Sequence, residues 1–242
     1  MIAEIGSNWE GSIEIAKSHI KEAKKSGANF VKFQMWKAED LYEKDHPEWE
    51  TIKKSELTEQ VATELKKYSD QIGIKWFCSV FNPRAVEFLE ELNVEYYKIA
   101  SRTSTLKDKF SKETIEKVGQ TNKTTFVSTG EGGDLEKISQ NFNPEVLKFT
   151  YCISKYPTDA KDIDWDIIKN YKFFSDHTKG IIIPLVYSML KINNKNEDIF
   201  IEKHTKFENS KGPDSTFAIT YEELKQLTDH IKRIEKTVNN KT

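Results

Sequence analysis

The sequence predicts an α/β fold, a single-domain (β/α)8 TIM barrel, on three observations. Eight short apolar segments alternate with eight longer amphipathic ones, and eight strand-then-helix units close into a parallel barrel more naturally than into an open sheet. The length of 242 residues matches the usual size of such a barrel. The first strand is followed by Gly6-Ser7-Asn8-Trp9-Glu10-Gly11, which does not fit the glycine-rich dinucleotide loop of a doubly wound sheet. No repeat, linker or low-complexity tract interrupts the chain, so residues 1–242 are expected to form one domain.

In chain order, a strand near 2–6 precedes a helix near 12–26, which Ser12 and Glu14 open and Gly27 closes. A strand near 29–34 precedes a helix near 56–72, with a long connection from Met35 to about Ser55 between them. A connection of that length is either a functional lid or a partly helical surface excursion. The third strand, near 74–79, leads into a helix near 83–92 that Asn82-Pro83 starts. Strands near 95–100, 124–129, 145–152 and 171–176 pair with helices near 111–119, 133–140, 163–170 and 180–191. A last strand near 198–204 precedes a helix near 220–238 capped by Thr220.

Charged residues make up 31% of the chain and hydrophobic ones 37%, the balance of a soluble, polar globular protein. A formal net charge of −2 and a pI near 6.3 leave no nucleic-acid footprint. No apolar run reaches membrane-spanning length and no signal-peptide pattern opens the chain, so a cytoplasmic location without membrane contact is expected. Cys78 and Cys152 each lie inside an apolar run and read as buried, reduced thiols.

Chemistry is expected where polar triplets close two late apolar strands: Ser175-Asp176-His177-Thr178 and Glu202-Lys203-His204-Thr205. Charges are costly to bury unpaired, and a barrel builds its active site at the C-terminal ends of its strands. The two-residue period of a strand puts Lys32 with Gln34, Lys98 with Ala100, Ser175 with His177, and Glu202 with His204 on shared faces. If those faces point inward, one mouth also gathers Glu4. Lysines and the hydroxyls of Ser101, Ser128 and Ser175 suit a phosphate and a carboxylate. Two neutral imidazoles suit a first-row divalent metal with open positions, and a buried glutamate near lysines suits proton transfer. Each residue alone also has a structural reading: a core histidine, an edge lysine, or a Glu202 that orients His204 or pairs with a lysine. Gly130-Glu131-Gly132-Gly133 is either a plain turn or a set of N–H groups for an anion. His19 and His230 read as packing or surface residues, and His46 sits in the long loop.

In order along the chain, Ala3-Glu4-Ile5-Gly6-Ser7-Asn8, Val31-Lys32-Phe33-Gln34, Tyr97-Lys98-Ile99-Ala100-Ser101, Ser128-Thr129-Gly130, Tyr156-Pro157-Thr158, Ser175-Asp176-His177-Thr178, Glu202-Lys203-His204 and Gly212-Pro213-Asp214 resemble the sialic-acid (N-acetylneuraminate) synthase family. The resemblance implies condensation of phosphoenolpyruvate with an N-acylated amino sugar, N-acetylmannosamine-like, to give a nonulosonic acid and phosphate. It implies a divalent metal, Mn2+ foremost and Mg2+ as the alternative, on His177 and His204. It places Lys32, Lys98, Ser101, Ser128 and Ser175 on phosphoenolpyruvate, Glu4 as the acid/base, and Gln34, Tyr156 and Asp214 near the sugar.

This chain departs from the family pattern at several points. Trp9 stands at a usual histidine, Val80-Phe81-Asn82 at a usual Thr-Pro-Phe, Ser154 at a usual asparagine, and Thr103 at an expected glutamate. Relatives carry a leader and a small antifreeze-like C-terminal domain, whereas the resemblance here covers the barrel alone. A homodimer, or a separate partner bearing that domain, is the assembly expectation. The competing functions are a sugar-phosphate condensing synthase and a degenerate or split-enzyme barrel that binds sugar or phosphoenolpyruvate without independent catalysis.

Overall fold

A computed structural model describes residues 1–192 and 198–239. Eight parallel strands form the barrel wall: β1 (Ile2–Glu4), β2 (Phe30–Met35), β3 (Lys75–Val80), β4 (Tyr96–Ile99), β5 (Thr124–Ser128), β6 (Leu147–Thr150), β7 (Phe173–Asp176) and β8 (Phe200–Lys206). Neighbours in sequence pair along β1 to β6, and β8 pairs with both β1 and β7. The ring closes between β6 and β7 through a parallel bridge at Tyr151–Phe174, with Tyr151 N–H donating to Phe173 O at 2.9 Å. A two-residue strand, β9 (Ile219–Thr220), adds to the end of β8. This is the TIM-like barrel expected from the alternating pattern.

Eleven helices are described: α1 (Ile13–Lys25), α2 (Ala38–Leu41), α3 (Trp49–Lys54), α4 (Glu59–Ile72), α5 (Pro83–Glu91), α6 (Ser101–Ser104), α7 (Ser111–Gln120), α8 (Leu135–Ser139), α9 (Trp165–Ile168), α10 (Ile182–Ile192) and α11 (Tyr221–Asn239). Three expected caps are formed. Ile15 N–H donates to Ser12 Oγ and Ala85 N–H to Asn82 Oδ1. At Thr220 a full capping box forms: Glu223 N–H donates to Thr220 Oγ1, and Thr220 N–H donates to Glu223 Oε2.

The long connection after β2 is partly helical, holding α2 and α3, and Lys53 ties it together by pairing with Glu39 and Glu56. Two helices are shorter than their patterns suggested, for a visible reason. Gly132 and Gly133 take left-handed φ values of 82° and 117°, so α8 begins only after Asp134, whose carboxylate accepts from Lys137 N–H. Asp164 likewise caps α9 by accepting from Asp166 and Ile167 N–H. The single turn α6, directly after β4, had no sequence signal.

The strands are buried on both faces, except that β6 is half-buried over Leu147, Lys148 and Phe149. Outward residues such as Val31, Phe33, Trp76, Cys78, Tyr97, Ile99 and Val127 pack under the helices. Inward residues change character along the barrel axis. At the N-terminal end Ile2, Phe30, Phe77, Phe126 and Phe173 form an apolar floor with Tyr96 and Phe200. One pleat further on, the same strands carry Glu4, Lys32, Ser79, Lys98, Ser128, Ser175 and Glu202, all buried. Cys78 and Cys152 are free and buried. No described helix is long and apolar enough to cross a membrane.

Candidate active site

The charged layer above the floor is one connected network. Glu4 Oε2 lies 2.5 Å from Lys32 Nζ, which also stands 3.6 Å from Glu202 Oε1 and donates to Ser79 Oγ at 2.9 Å. Lys98 Nζ reaches Glu202 Oε2 at 3.1 Å from the other side. Ser175 Oγ donates to Glu202 Oε1 at 2.9 Å, and Gln34 Nε2 donates to Glu4 Oε1 at 2.8 Å. Strand register brings these about, since Glu4 is opposite Lys32 on β2 and His204 on β8, while Ser175 is opposite Glu202.

Two carboxylates and two ammonium groups share this space, and the two acids respond in opposite directions. Burial pushes the Glu4 carboxyl up to about 7, with Lys32 pulling it down and Glu202 pushing it up. For Glu202 burial also acts upward, but Lys32 and Lys98 outweigh it and hold the group well below the carboxylate range. Pairs of titratable groups driven apart in this way mark acid/base assignments: Glu202 stays an anion, and Glu4 can hold or release a proton near neutrality.

The two histidines rise from the same layer. His177 and His204 face each other with ring centroids 5.6 Å apart. His177 Nδ1 lies 2.8 Å from the Ile153 carbonyl, which can only accept, so Nδ1 carries the proton and Nε2 keeps its lone pair. Burial, reinforced by His204, lowers its pKa to about 4. His204 is lowered as well, first by burial and against the pull of Asp214. Its Nδ1 is buried without a hydrogen-bond partner, 3.7 Å from Asp214 Oδ2. Among the described residues no group of three or more His, Cys, Asp or Glu side chains assembles as a metal cage. The protein therefore offers two neutral imidazoles, one with a buried unpartnered nitrogen.

Asp214 is set over the barrel by the loop after β1. Ser7 N–H and Ser7 Oγ–H both donate to its Oδ2, at 3.0 and 3.1 Å. Gly6 has φ +54°, and a Cβ there would fall 2.2 Å from that same oxygen, so only glycine allows the approach. Tyr156, 51% exposed, lays its ring 4.4 Å from His177.

Glu4, Lys32, Gln34, Lys98, Ser175, His177, His204, Tyr156 and Asp214 are thus linked by direct contacts at one mouth. Ser101 and Ser128 lie nearby at the ends of β4 and β5, buried, and Ser101 Oγ accepts from Glu131 N–H at 2.7 Å rather than joining the charged network. Four further residues belong to the site or its walls. Ser79 completes the Lys32 shell and follows from parity with Phe77. Phe217 packs against both imidazoles, its ring 4.8 Å from His204 and 6.0 Å from His177, and nothing local in the sequence points to it. Asp176 and Lys203 form a second buried ion pair at 2.7 Å on the outer face of β7 and β8.

The chain matches the NeuB family model over residues 19–242. It is 35% identical to an uncharacterized protein of Methanocaldococcus jannaschii, covering 98% of this chain and 71% of that one. It is 30% identical to the pseudaminic acid synthase of Campylobacter jejuni, over 97% of this chain and 73% of the relative. Among solved structures it superimposes on the N-acetylneuraminic acid synthetase of Leptospira borgpetersenii, determined with citrate, at a TM-score of 0.87 and 26% identity, covering 98% of this chain and 84% of that one. On the family match and the relative at 35% identity, the chain belongs to the NeuB family.

Proposed function

We propose that the chain condenses phosphoenolpyruvate with an N-acylated amino sugar, giving a nonulosonic acid and phosphate. The observation that carries this reading is the pair of buried, neutral, facing imidazoles set directly beside the Lys32–Glu4–Glu202–Lys98 layer. In the reaction, C3 of phosphoenolpyruvate forms a bond to the aldehyde carbon of the open-chain sugar, water adds at C2, and the C2–O bond to phosphate breaks.

Lys32 and Lys98 hold the anionic groups of phosphoenolpyruvate by charge-assisted hydrogen bonds, with Ser101, Ser128 and Ser175 as neutral donors. Glu202 is the lysines' internal counter-ion when no substrate anion is near. Glu4, at about 7, moves a proton to or from the reacting oxygens, and Gln34 fixes its orientation. Gln34, Tyr156 and Asp214 contact the sugar. The aromatic floor below excludes water and keeps the local dielectric low, which strengthens each of these contacts.

A divalent ion fits here: His177 Nε2 keeps its lone pair because Nδ1 is committed to Ile153, and it meets Ser175 Oγ only at 3.5 Å, while His204 Nδ1 is a buried nitrogen without a partner. His177 and His204 would hold it, with water and substrate completing its coordination. When bound, the ion polarises the sugar aldehyde.

The test is phosphate release by the purified chain with phosphoenolpyruvate, Mn2+ and N-acetylmannosamine, with His177→Ala as control. Sugar-dependent release that the variant loses supports the reading. Binding of phosphoenolpyruvate without release for any N-acylated amino sugar would favour a barrel that binds without independent catalysis.

A further inference from the structure

The second buried ion pair lies outside the mouth yet brackets the histidines. Asp176 and Lys203 are both fully buried on the outer face of the wall. They are register partners, the last pair of the β7–β8 ladder, and each immediately precedes one of the two histidines. Lys203 Nζ donates to Asp176 Oδ2 at 2.7 Å and also to the Thr178 carbonyl. Asp176 in turn accepts from Thr178 N–H at 2.9 Å and from Thr178 Oγ1–H at 3.0 Å. One ammonium on β8 therefore grips the residue before His177 and the residue after it. The other side of the β7 tip is held by Thr158 N–H, which donates to the His177 carbonyl at 2.9 Å.

A buried ion pair contributes little more to stability than a well-packed apolar pair of the same volume would. Its value here is geometric. Past Asp176 the backbone pairing of β7 with β8 stops, just where two side chains from those strands must meet. We propose that Asp176 and Lys203 are positioning residues: a rear bracket that extends the β7–β8 pairing by side chains and fixes the His177 and His204 rings relative to each other. What those rings converge on rests on the metal reading above; the bracket itself rests on the contacts just described.

The experiment compares the parent with Asp176→Asn/Lys203→Met, which removes both charges together and leaves no lone buried ion. In metal-free protein, 15N–1H spectra of the imidazoles should show His177 as a single Nδ1–H tautomer in the parent and an averaged ring in the variant. His46, on the connection after β2 where its Nδ1 accepts from Glu48 N–H, should give the same signals in both. Mn2+ affinity should fall roughly 10–100-fold in the variant, as for other residues that orient metal-binding histidines, while thermal unfolding stays cooperative. Unchanged His177 signals together with an unchanged Mn2+ Kd would overturn the proposal and leave the pair a plain structural contact. Loss of the tautomer in the variant, with no Mn2+ binding by either protein, would support the bracket and sink the metal reading instead. Should the variant not fold, Asp176→Asn/Lys203→Gln keeps hydrogen-bonding atoms with a shorter reach, and the same two readouts decide.

Discussion

The floor and the mouth of this barrel are built by the same strands, one pleat apart, and they divide the protein's labour. Phe126 and Ser128 are two residues apart on β5, Phe77 and Ser79 on β3, Phe30 and Lys32 on β2, Phe200 and Glu202 on β8. At the floor, the Phe126 ring sits 5.3 to 6.2 Å from Phe173, Phe200, Phe77 and Tyr96, and the Tyr96 hydroxyl accepts from Lys75 Nζ at 2.9 Å. At the mouth, the interior is occupied by ions whose best partners are one another. A site of that kind is costly to desolvate, and the aromatic floor is what makes it affordable in a small domain. The lesson is that stability and chemistry are separable by depth here, as in other barrels.

The largest expected effect comes from breaking the floor. Phe126→Ala should lower stability by about 3–5 kcal/mol, the usual consequence of emptying a buried aromatic site. If the two regions are separable, the folded variant keeps its KM for phosphoenolpyruvate. A large KM change with little change in unfolding midpoint would contradict the division. The mirror experiment is Lys98→Met. It leaves Glu202 with the Ser175 hydroxyl and the Lys32 ammonium at 3.6 Å, and removes one of two cations from the anion site. Activity should drop roughly 10²–10³-fold, the range for losing a preorganised electrostatic donor. Steady-state kinetics and calorimetry on both variants test the comparison directly.

A narrower probe separates the two acids. Glu4 titrates near 7 when folded, against 4.5 as a free side chain. Between those values the folded protein holds a proton that the unfolded chain has released. The contribution of Glu4 to stability is therefore fully present below about pH 4.5 and is lost as pH rises through 7. Glu4→Gln has no such loss, so its melting temperature should gain on the parent's from pH 5 to 7.5 and then run parallel. Its turnover should fall about 10²–10⁴-fold if Glu4 transfers the proton. A constant difference in melting temperature across that range would show that Glu4 is already ionised in the fold.

Sequence carried the barrel and most of the mouth because both follow from periodicity. Strand parity alone placed Lys32 with Gln34 and Ser175 with His177, and register then joined them across strands. What parity could not supply was contact between segments distant in sequence. Phe217 reaches the histidines only because β9 and the turn before it fold back over β8. Asp176 and Lys203 sit in the very triplets that drew attention, yet they point to the opposite face from the histidines. Their partnership depends on β7 and β8 lying in register, which a single sequence does not reveal. Helix lengths erred where a local competitor won: the left-handed glycines at 132 and 133 and the Asp134 cap delayed α8. Ser101 likewise joined the glycine-rich loop through Glu131 rather than the charged layer.

The smallest effect is expected where the mouth is already prepared. A metal binds neutral imidazole, so protonation competes with it. For two ordinary histidines, titrating near 6.5, affinity would weaken by about an order of magnitude or more per ring between pH 7 and pH 5. Here burial holds His177 at about 4 and lowers His204 too, the same desolvation that acts on Glu4, Lys32 and Glu202. The proton is therefore a weaker competitor here than at ordinary rings. Mn2+ affinity, followed by electron paramagnetic resonance of the free ion, should fall less between pH 7 and pH 5.5 than it would at two ordinary histidines. A steep decline centred near 6.5 would mean that the rings are solvated in the free protein, so that the floor does not dry the mouth and the separation by depth fails at its upper end.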